Sequence, residues 1–340
     1  MLRGIGARWS IPVAPSWRTG ASGAPYYEPL VVRIPNAVPG QSQEAVAMRT
    51  AQGWRLIGRA GRIETAPRVL AWTPVAGVRP FIAQGKTPNH LIMGAGKSGT
   101  TSLFDALRHH HDIHAAREKE PTFFVEQFQV IADPLAYFRL FDSPKSYRME
   151  ASHAYFSNPS TARTLKSLFP DAKFILTLRD PKRRAHSLFR HMRRLRHAGD
   201  GLPLETIADF AEALRAEPDR AVSPAFRDPC RHYLCNFLYA RSSRYDLQIE
   251  RYRQHFDPRQ FHILTLAELR ADPPRALEGI ARFLDIDPAP FATATFPAKN
   301  TNPAGNETPS EDAMRILDAE LNGVTERMDE IAERKLDWSL

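Results

Sequence analysis

From Asn89 onward the chain alternates short apolar runs with amphipathic stretches. HLIMG, residues 90–94, is an apolar run closed by glycine and predicts a buried strand, whereas TSLFDALRHH places Leu103, Phe104 and Leu107 on one helical face. The same two patterns recur along the chain. SYRMEA predicts a strand, TARTLKSLF a helix, KFILTLR a strand and RRAHSLFRHMRRL a helix. YDLQIERYRQHF then predicts a helix, FHILTL a strand and PRALEGIARFLDI a helix. Strands separated by helices are joined by crossovers and so run parallel, which predicts an α/β fold whose central sheet is covered on both faces. Ligands in such folds bind where the strands end at their carboxyl side.

The first 87 residues read differently. They are rich in Pro and Gly and apolar only in patches (YYEPLVVRIP, WRLIG, RVLAW), so short extended pieces are expected but no helix of convincing period. The chain thus divides into an N-terminal extension over 1–87, partly disordered or a small β appendage, and an α/β domain over 88–340. A start near Met48 or a transit segment are alternative accounts of the extension.

Charge sharpens that division. The 340 residues carry 46 basic and 38 acidic side chains, a formal +8. Residues 1–88 hold eleven Lys or Arg against Glu28, Glu44 and Glu64, and the remainder carries 35 of each sign. Any positive field in the α/β part is therefore local. Cys230 and Cys235 are too few for a disulfide framework, and CRHYLC lacks the partners of a zinc site. Free thiols, the absence of any apolar run near the ~18 residues of a membrane span, and the lack of a signal pattern make a soluble, cytoplasmic protein the expectation.

Candidate chemistry begins at LIMGAGKSGTTSL, Leu91 to Leu103. Glycines after a strand let successive N–H groups and a helix N-terminus converge on one anion, and Lys97 adds a full charge. The nucleoside triphosphatase loop requires a further glycine five positions before Gly96, where this chain has Leu91. Read from Lys97, the motif is a shorter cradle, KSGTTSL, with hydroxyls at Ser98, Thr100, Thr101 and Ser102. Two rivals stay open at this point. One is a kinase or NTPase using Lys97 and Ser98 with Mg²⁺ and Asp180; the other is a non-catalytic nucleotide-binding protein.

GAGKSGTTSL resembles the 5′-phosphosulfate loop of sulfotransferases that use 3′-phosphoadenosine 5′-phosphosulfate (PAPS). Three further segments agree with it in order. REKEPTFF (Arg117 to Phe124) and RMEASHAYF (Arg148 to Phe156) resemble segments of the heparan sulfate and related glycan sulfotransferases. ILTLRDPKRRAHSLFRH (Ile175 to His191) resembles the family's 3′-phosphate segment, with a serine eight residues after the arginine. The resemblance spans about residues 88–340 and implies a P-loop-like three-layer sandwich with a central parallel sheet. It implies PAPS as donor cosubstrate with no metal required, and a glycan, glycolipid or small alcohol as acceptor rather than nucleic acid. Lys97 would meet the leaving oxygen, with Ser98, Gly99, Thr100, Thr101 and Ser102 closing the cradle, and Glu120 would be the general base. Arg179 and Ser187 would hold the 3′-phosphate, and Lys299 and Asn300 would lie in a loop that closes over the nucleotide.

Physical chemistry adds to these roles. A carboxylate beside buried aromatics has a raised pKa and is a better base, which is the expectation for Glu120 before Phe123 and Phe124. His153 is a second candidate base or substrate contact, since it stands where the glycan enzymes often have proline. In the same segment those enzymes often carry lysine where this chain has Ala151. HHHDIH, by contrast, is expected to be a solvated helix end and turn rather than a metal site. RHMRRLRH is expected either to follow an anionic acceptor or to be a solvated helix face.

Overall fold

The computed structural model describes residues 84–125, 129–131, 134–195, 203–227, 230, 232–296 and 308–340, together with short strands between Arg3 and Ala71. Lys299 and Asn300 lie outside the described residues.

Five parallel strands form the central sheet: β1 (His90–Ile92), β2 (Ile113–Ala115), β3 (Tyr147–Ala151), β4 (Lys173–Leu178) and β5 (Phe261–Thr265). Their order is β2-β3-β1-β4-β5, with Leu91 opposite Glu150 on one side and Phe174 on the other. Each predicted strand is present. The edge strand β2, which overlaps the end of HHHDIH, was not legible, because three residues are too few to show a period.

Alternate residues serve the two faces. Leu91, Met93, Phe174, Leu176 and Leu178 enter one core with helices α3 (Pro181–Arg194) and α4 (Tyr245–Arg253). Ile92, Ile175 and Leu264 enter the other, packed by Leu103, Phe104 and Leu107 of α1 (Thr100–Leu107) and by Leu277, Ile280 and Leu284 of α5 (Pro273–Leu284). Helix α2 (Thr161–Leu168) connects β3 to β4. With side chains buried on both faces, the sheet is the middle layer of a three-layer α/β sandwich.

From β1 the chain crosses to β2 and β3, whereas from β4 it crosses the opposite way to β5. The carboxyl ends of β1 and β4 therefore flank the point where the topology switches, and a crevice opens between them. In the N-terminal region Leu30–Pro35, Ser42–Thr50 and Gly53–Gly58 form an antiparallel meander. No described helix is long and apolar enough to cross a membrane.

Candidate active site

The β1–α1 loop is pressed against β4. Met93 N–H donates to Ile175 O (3.0 Å) and Ala95 N–H to Thr177 O (3.1 Å), which prolongs the ladder past the end of β1. A Cβ on Gly94 would lie 2.4 Å from Thr177 Oγ1 and 2.5 Å from its backbone nitrogen, so only glycine fits there. Lys97 adopts φ 72°, a left-handed conformation that costs a non-glycine residue about 1–2 kcal/mol, and Gly99 follows at φ 88° as the N-cap of α1. No side chain caps this helix. Its first N–H groups are thus available to an anion in the cleft that Gly99, Thr100, Thr101 and Ser102 line.

That cleft has a volume of about 310 Å³. Lys97, Glu120, His153, Arg179 and Ser187 line it as well, so residues from four separate sequence motifs meet in one cavity. Ser98 does not line it. Its side chain is wholly buried beneath the loop, and its N–H closes a turn onto Ala95 O (3.1 Å). His191, the last residue of the predicted 3′-phosphate segment, lines it too, as do Asn236, Leu266, Arg270 and Phe296, which were not singled out from the sequence.

Cations dominate one side of the cleft. Lys97 makes no hydrogen bond or ion pair with the described residues. Burial first, then the charges of Arg194, Arg179 and Arg184, push its ammonium down from 10.5 to about 8. Arg179 follows β4, and its buried Nε has no partner. Asp180 does not pair with it: the carboxylate caps α3, accepting from Arg183 N–H at 2.8 Å, with Pro181 at the first helical position. Arg270 supplies the strongest charge acting on Arg179. Behind the loop lies Arg184, fully buried and donating to Gly96 O (3.0 Å), Ser242 Oγ (2.5 Å) and Ser243 Oγ (3.1 Å), with no ion-paired carboxylate among the described residues.

The other side of the cleft is built on the end of β3. Glu120 N–H donates to Ala151 O (2.8 Å), and Thr122 N–H to Ser152 Oγ (3.1 Å). Glu120 Oε1 accepts from Lys119 Nζ (2.6 Å); Oε2 accepts from His153 N–H (2.9 Å) and contacts His153 Nδ1 (2.8 Å). Burial raises this carboxyl, but the charges and hydrogen bonds of His153 and Lys119 outweigh it and hold the group at about 2. The expectation of a raised Glu120 is therefore corrected: its neighbours are donors. The raised carboxyl is Glu150, at about 7 through burial in spite of hydrogen bonds from Tyr137 (2.5 Å) and Ser152 (2.7 Å).

The HHHDIH segment also differs in part from expectation. His110 is buried rather than solvated: Nδ1 accepts from Asp112 N–H (3.2 Å) and Nε2 contacts Asp287 O (2.9 Å). His110, His111 and Asp112 have ligand atoms within 4.8 Å of one another, but both ring nitrogens of His110 are already engaged by the protein. In RHMRRLRH, Met192 is buried and Arg193 donates to Glu205 O (2.9 Å), tying α3 to the following segment; His197 lies outside the described residues. Both cysteines are free.

A doubly wound parallel sheet with a glycine cradle at its switch point, and cations there that have no ion-paired acid among the described residues, defines a P-loop-like α/β transferase. The chain belongs to the sulfotransferase family: the family's sulfotransferase domain matches residues 87–320. A sulfotransferase from Alicyclobacillus acidocaldarius is similar in structure, with a TM-score of 0.57 and 27% identity over 73% of this chain and 96% of that one. Among curated proteins, the bifunctional heparan sulfate N-deacetylase/N-sulfotransferase 1 of Caenorhabditis briggsae is 28% identical over 61% of this chain. The human N-deacetylase/N-sulfotransferase 3 is 30% identical over 60%. The match spans only 23% of the length of either relative.

Proposed function

We propose that this enzyme transfers a sulfuryl group from PAPS to a hydroxyl or amine of a glycan or glycolipid acceptor. The observation that carries the proposal is a set of cations along one cleft, Lys97 at the loop with Arg179 and Arg270, that have no ion-paired acid among the described residues. A nucleotide with anionic groups at both its 5′ and 3′ positions complements that arrangement, and PAPS supplies the transferable sulfuryl group when bound. The orphaned Arg179 Nε and the glycine cradle fit the donor's phosphates.

Lys97 is placed to neutralise the bridging oxygen as it gains charge, with the first N–H groups of α1 beside it. Arg179 and Ser187, joined by Arg270, hold the 3′-phosphate, which distinguishes this donor from ATP. Leu266 and Phe296 offer the apolar wall for the base. Glu120 and His153 form the pair that handles the acceptor's proton. Asp180, which a Mg-ATP mechanism would need beside the metal, is instead the cap of α3. Relatives named for heparan sulfate N-sulfotransfer support a glycan acceptor.

The test is transfer of radiolabelled sulfate from PAPS to N-desulfated heparan, to glycolipid and to a simple phenol, in the presence of a chelator. Label on one of the carbohydrate acceptors supports the proposal. Transfer of the γ-phosphoryl group of ATP, with none from PAPS, overturns it.

A further inference from the structure

Resting on the PAPS reading, we propose that His153 Nε2 receives the acceptor's proton and that Glu120 is its positioning residue, rather than the base itself. Three observations carry this division of roles.

Of the roughly four lone-pair sites of the Glu120 carboxylate, three are engaged. Oε1 holds the Lys119 ammonium at 2.6 Å, and Oε2 holds both the backbone N–H and Nδ1 of His153 at 2.9 and 2.8 Å. Its backbone is fixed as well, at φ 59° with its N–H on Ala151 O. The remaining lone pair is on Oε1, beside the Lys119 ammonium, so an acceptor's proton arriving there would be placed next to a full positive charge.

His153 is held the opposite way. An ionised Glu120 can only accept, so Nδ1 carries the proton, which leaves the lone pair on Nε2. Tyr233 meets the imidazole edge-on, with centroids 5.3 Å apart and planes at 87°. Asn236 Oδ1 lies 3.4 Å from Nε2, placed to accept the N–H that forms there.

Gly96 explains why the free nitrogen is accessible. Its φ is not positive, so no backbone conformation demands glycine at this position. What excludes a side chain is the imidazole itself: a Cβ on Gly96 would lie 2.8 Å from His153 Cδ2 and 3.2 Å from Nε2. The basic edge of the ring therefore abuts the loop that presents Lys97. His191 also lines the cleft, but Asn236 and Glu120 contact His153 alone of the two.

In the transfer step the acceptor's O–H (or N–H) bond breaks and its proton passes to His153 Nε2, while the acceptor atom bonds to sulfur. The bond from sulfur to the bridging oxygen breaks, and its electron pair stays on the 5′-phosphate oxygen beside the Lys97 ammonium. The imidazolium, balanced by Glu120, then releases its proton to water. This is the logic of a base oriented by a carboxylate.

The test uses the full chain with 3′,5′-adenosine bisphosphate and PAPS, water serving as acceptor in the second case. Nitrogen NMR of histidine-labelled protein bound to the bisphosphate should show His153 protonated on Nδ1 and bare on Nε2, and Glu120→Gln should remove that fixed tautomer. His153→Ala should slow release of the bisphosphate from PAPS by about a hundredfold or more, with unchanged bisphosphate affinity and partial rescue by added imidazole. A proton found on Nε2 in the neutral ring, or a His153→Ala variant that keeps the wild-type rate, overturns the assignment and leaves Glu120 as the base. Failure of the wild type to bind the bisphosphate would instead overturn the PAPS reading on which the assignment rests.

Discussion

Two buried arginines, Arg184 and Arg220, have opposite surroundings. Arg220 is paired: Glu205 accepts from it at 2.6 and 2.9 Å and also takes the Tyr239 hydroxyl at 2.5 Å. Arg184 is more deeply buried, yet hydroxyls and carbonyls alone receive its N–H groups. A buried cation without an acid is costly, and folding retains one where another group benefits. At Arg220 the charge is neutralised inside the fold. At the cleft, Lys97 and Arg179, with Arg184 behind the loop, stand together without an ion-paired acid among the described residues, and the proposed anionic donor would supply the compensation.

The comparison makes distinct predictions for the two regions. Arg220→Ala strands the Glu205 carboxylate and should cost about 3–5 kcal/mol of stability in denaturant titrations, with nucleotide affinity of the folded fraction unchanged. Lys97→Ala should do the reverse. It should lose at least about 2.7 kcal/mol of transition-state stabilisation, roughly a hundredfold in turnover by a PAPS-release assay, with a melting temperature equal to or above wild type.

Arg179→Ala should weaken binding of 3′,5′-adenosine bisphosphate by about 1.5–3 kcal/mol and leave 5′-AMP binding nearly unchanged. An equal loss for both nucleotides would break the assignment of Arg179 to the 3′-phosphate. The smallest expected effect is on pH. Lys97 titrates near 8 in the free protein, and a bound anion favours its charged form. Above about pH 8 the complex then holds more protons than its parts, so affinity falls as pH rises. Calorimetry in buffers of different ionisation heat should show proton uptake there, and Lys97→Ala should abolish it.

Those predictions draw on residues of unequal visibility in the sequence. Lys97 and Arg179 could be read because each sits in a contiguous strand–turn–helix motif, and the parallel sheet could be read because each long strand carries its own apolar run. Arg270, Asn236 and Phe296 could not, since only tertiary packing brings their elements to the cleft. Glu120 and His153 were each visible, but their contact joins residues 33 apart in the chain, and it reverses the acidity expected for Glu120. Ser98 shows the converse limit. It belongs to the motif by sequence, yet the turn that shapes the loop aims its hydroxyl inward. His110 looked solvated because its neighbours are polar, whereas its imidazole is a buried hydrogen-bonding link to the Asp287 carbonyl.

In this proposal the cleft cations, which have no ion-paired acid among the described residues, form a site for a nucleotide bearing a 3′-phosphate. Titration calorimetry in a chelating buffer, comparing 3′,5′-adenosine bisphosphate with ATP and then ATP with added Mg²⁺, tests it most directly. The account predicts tight binding of the bisphosphate without metal and much weaker binding of ATP under either condition. Binding of Mg-ATP alone, with no heat from the bisphosphate, would contradict it.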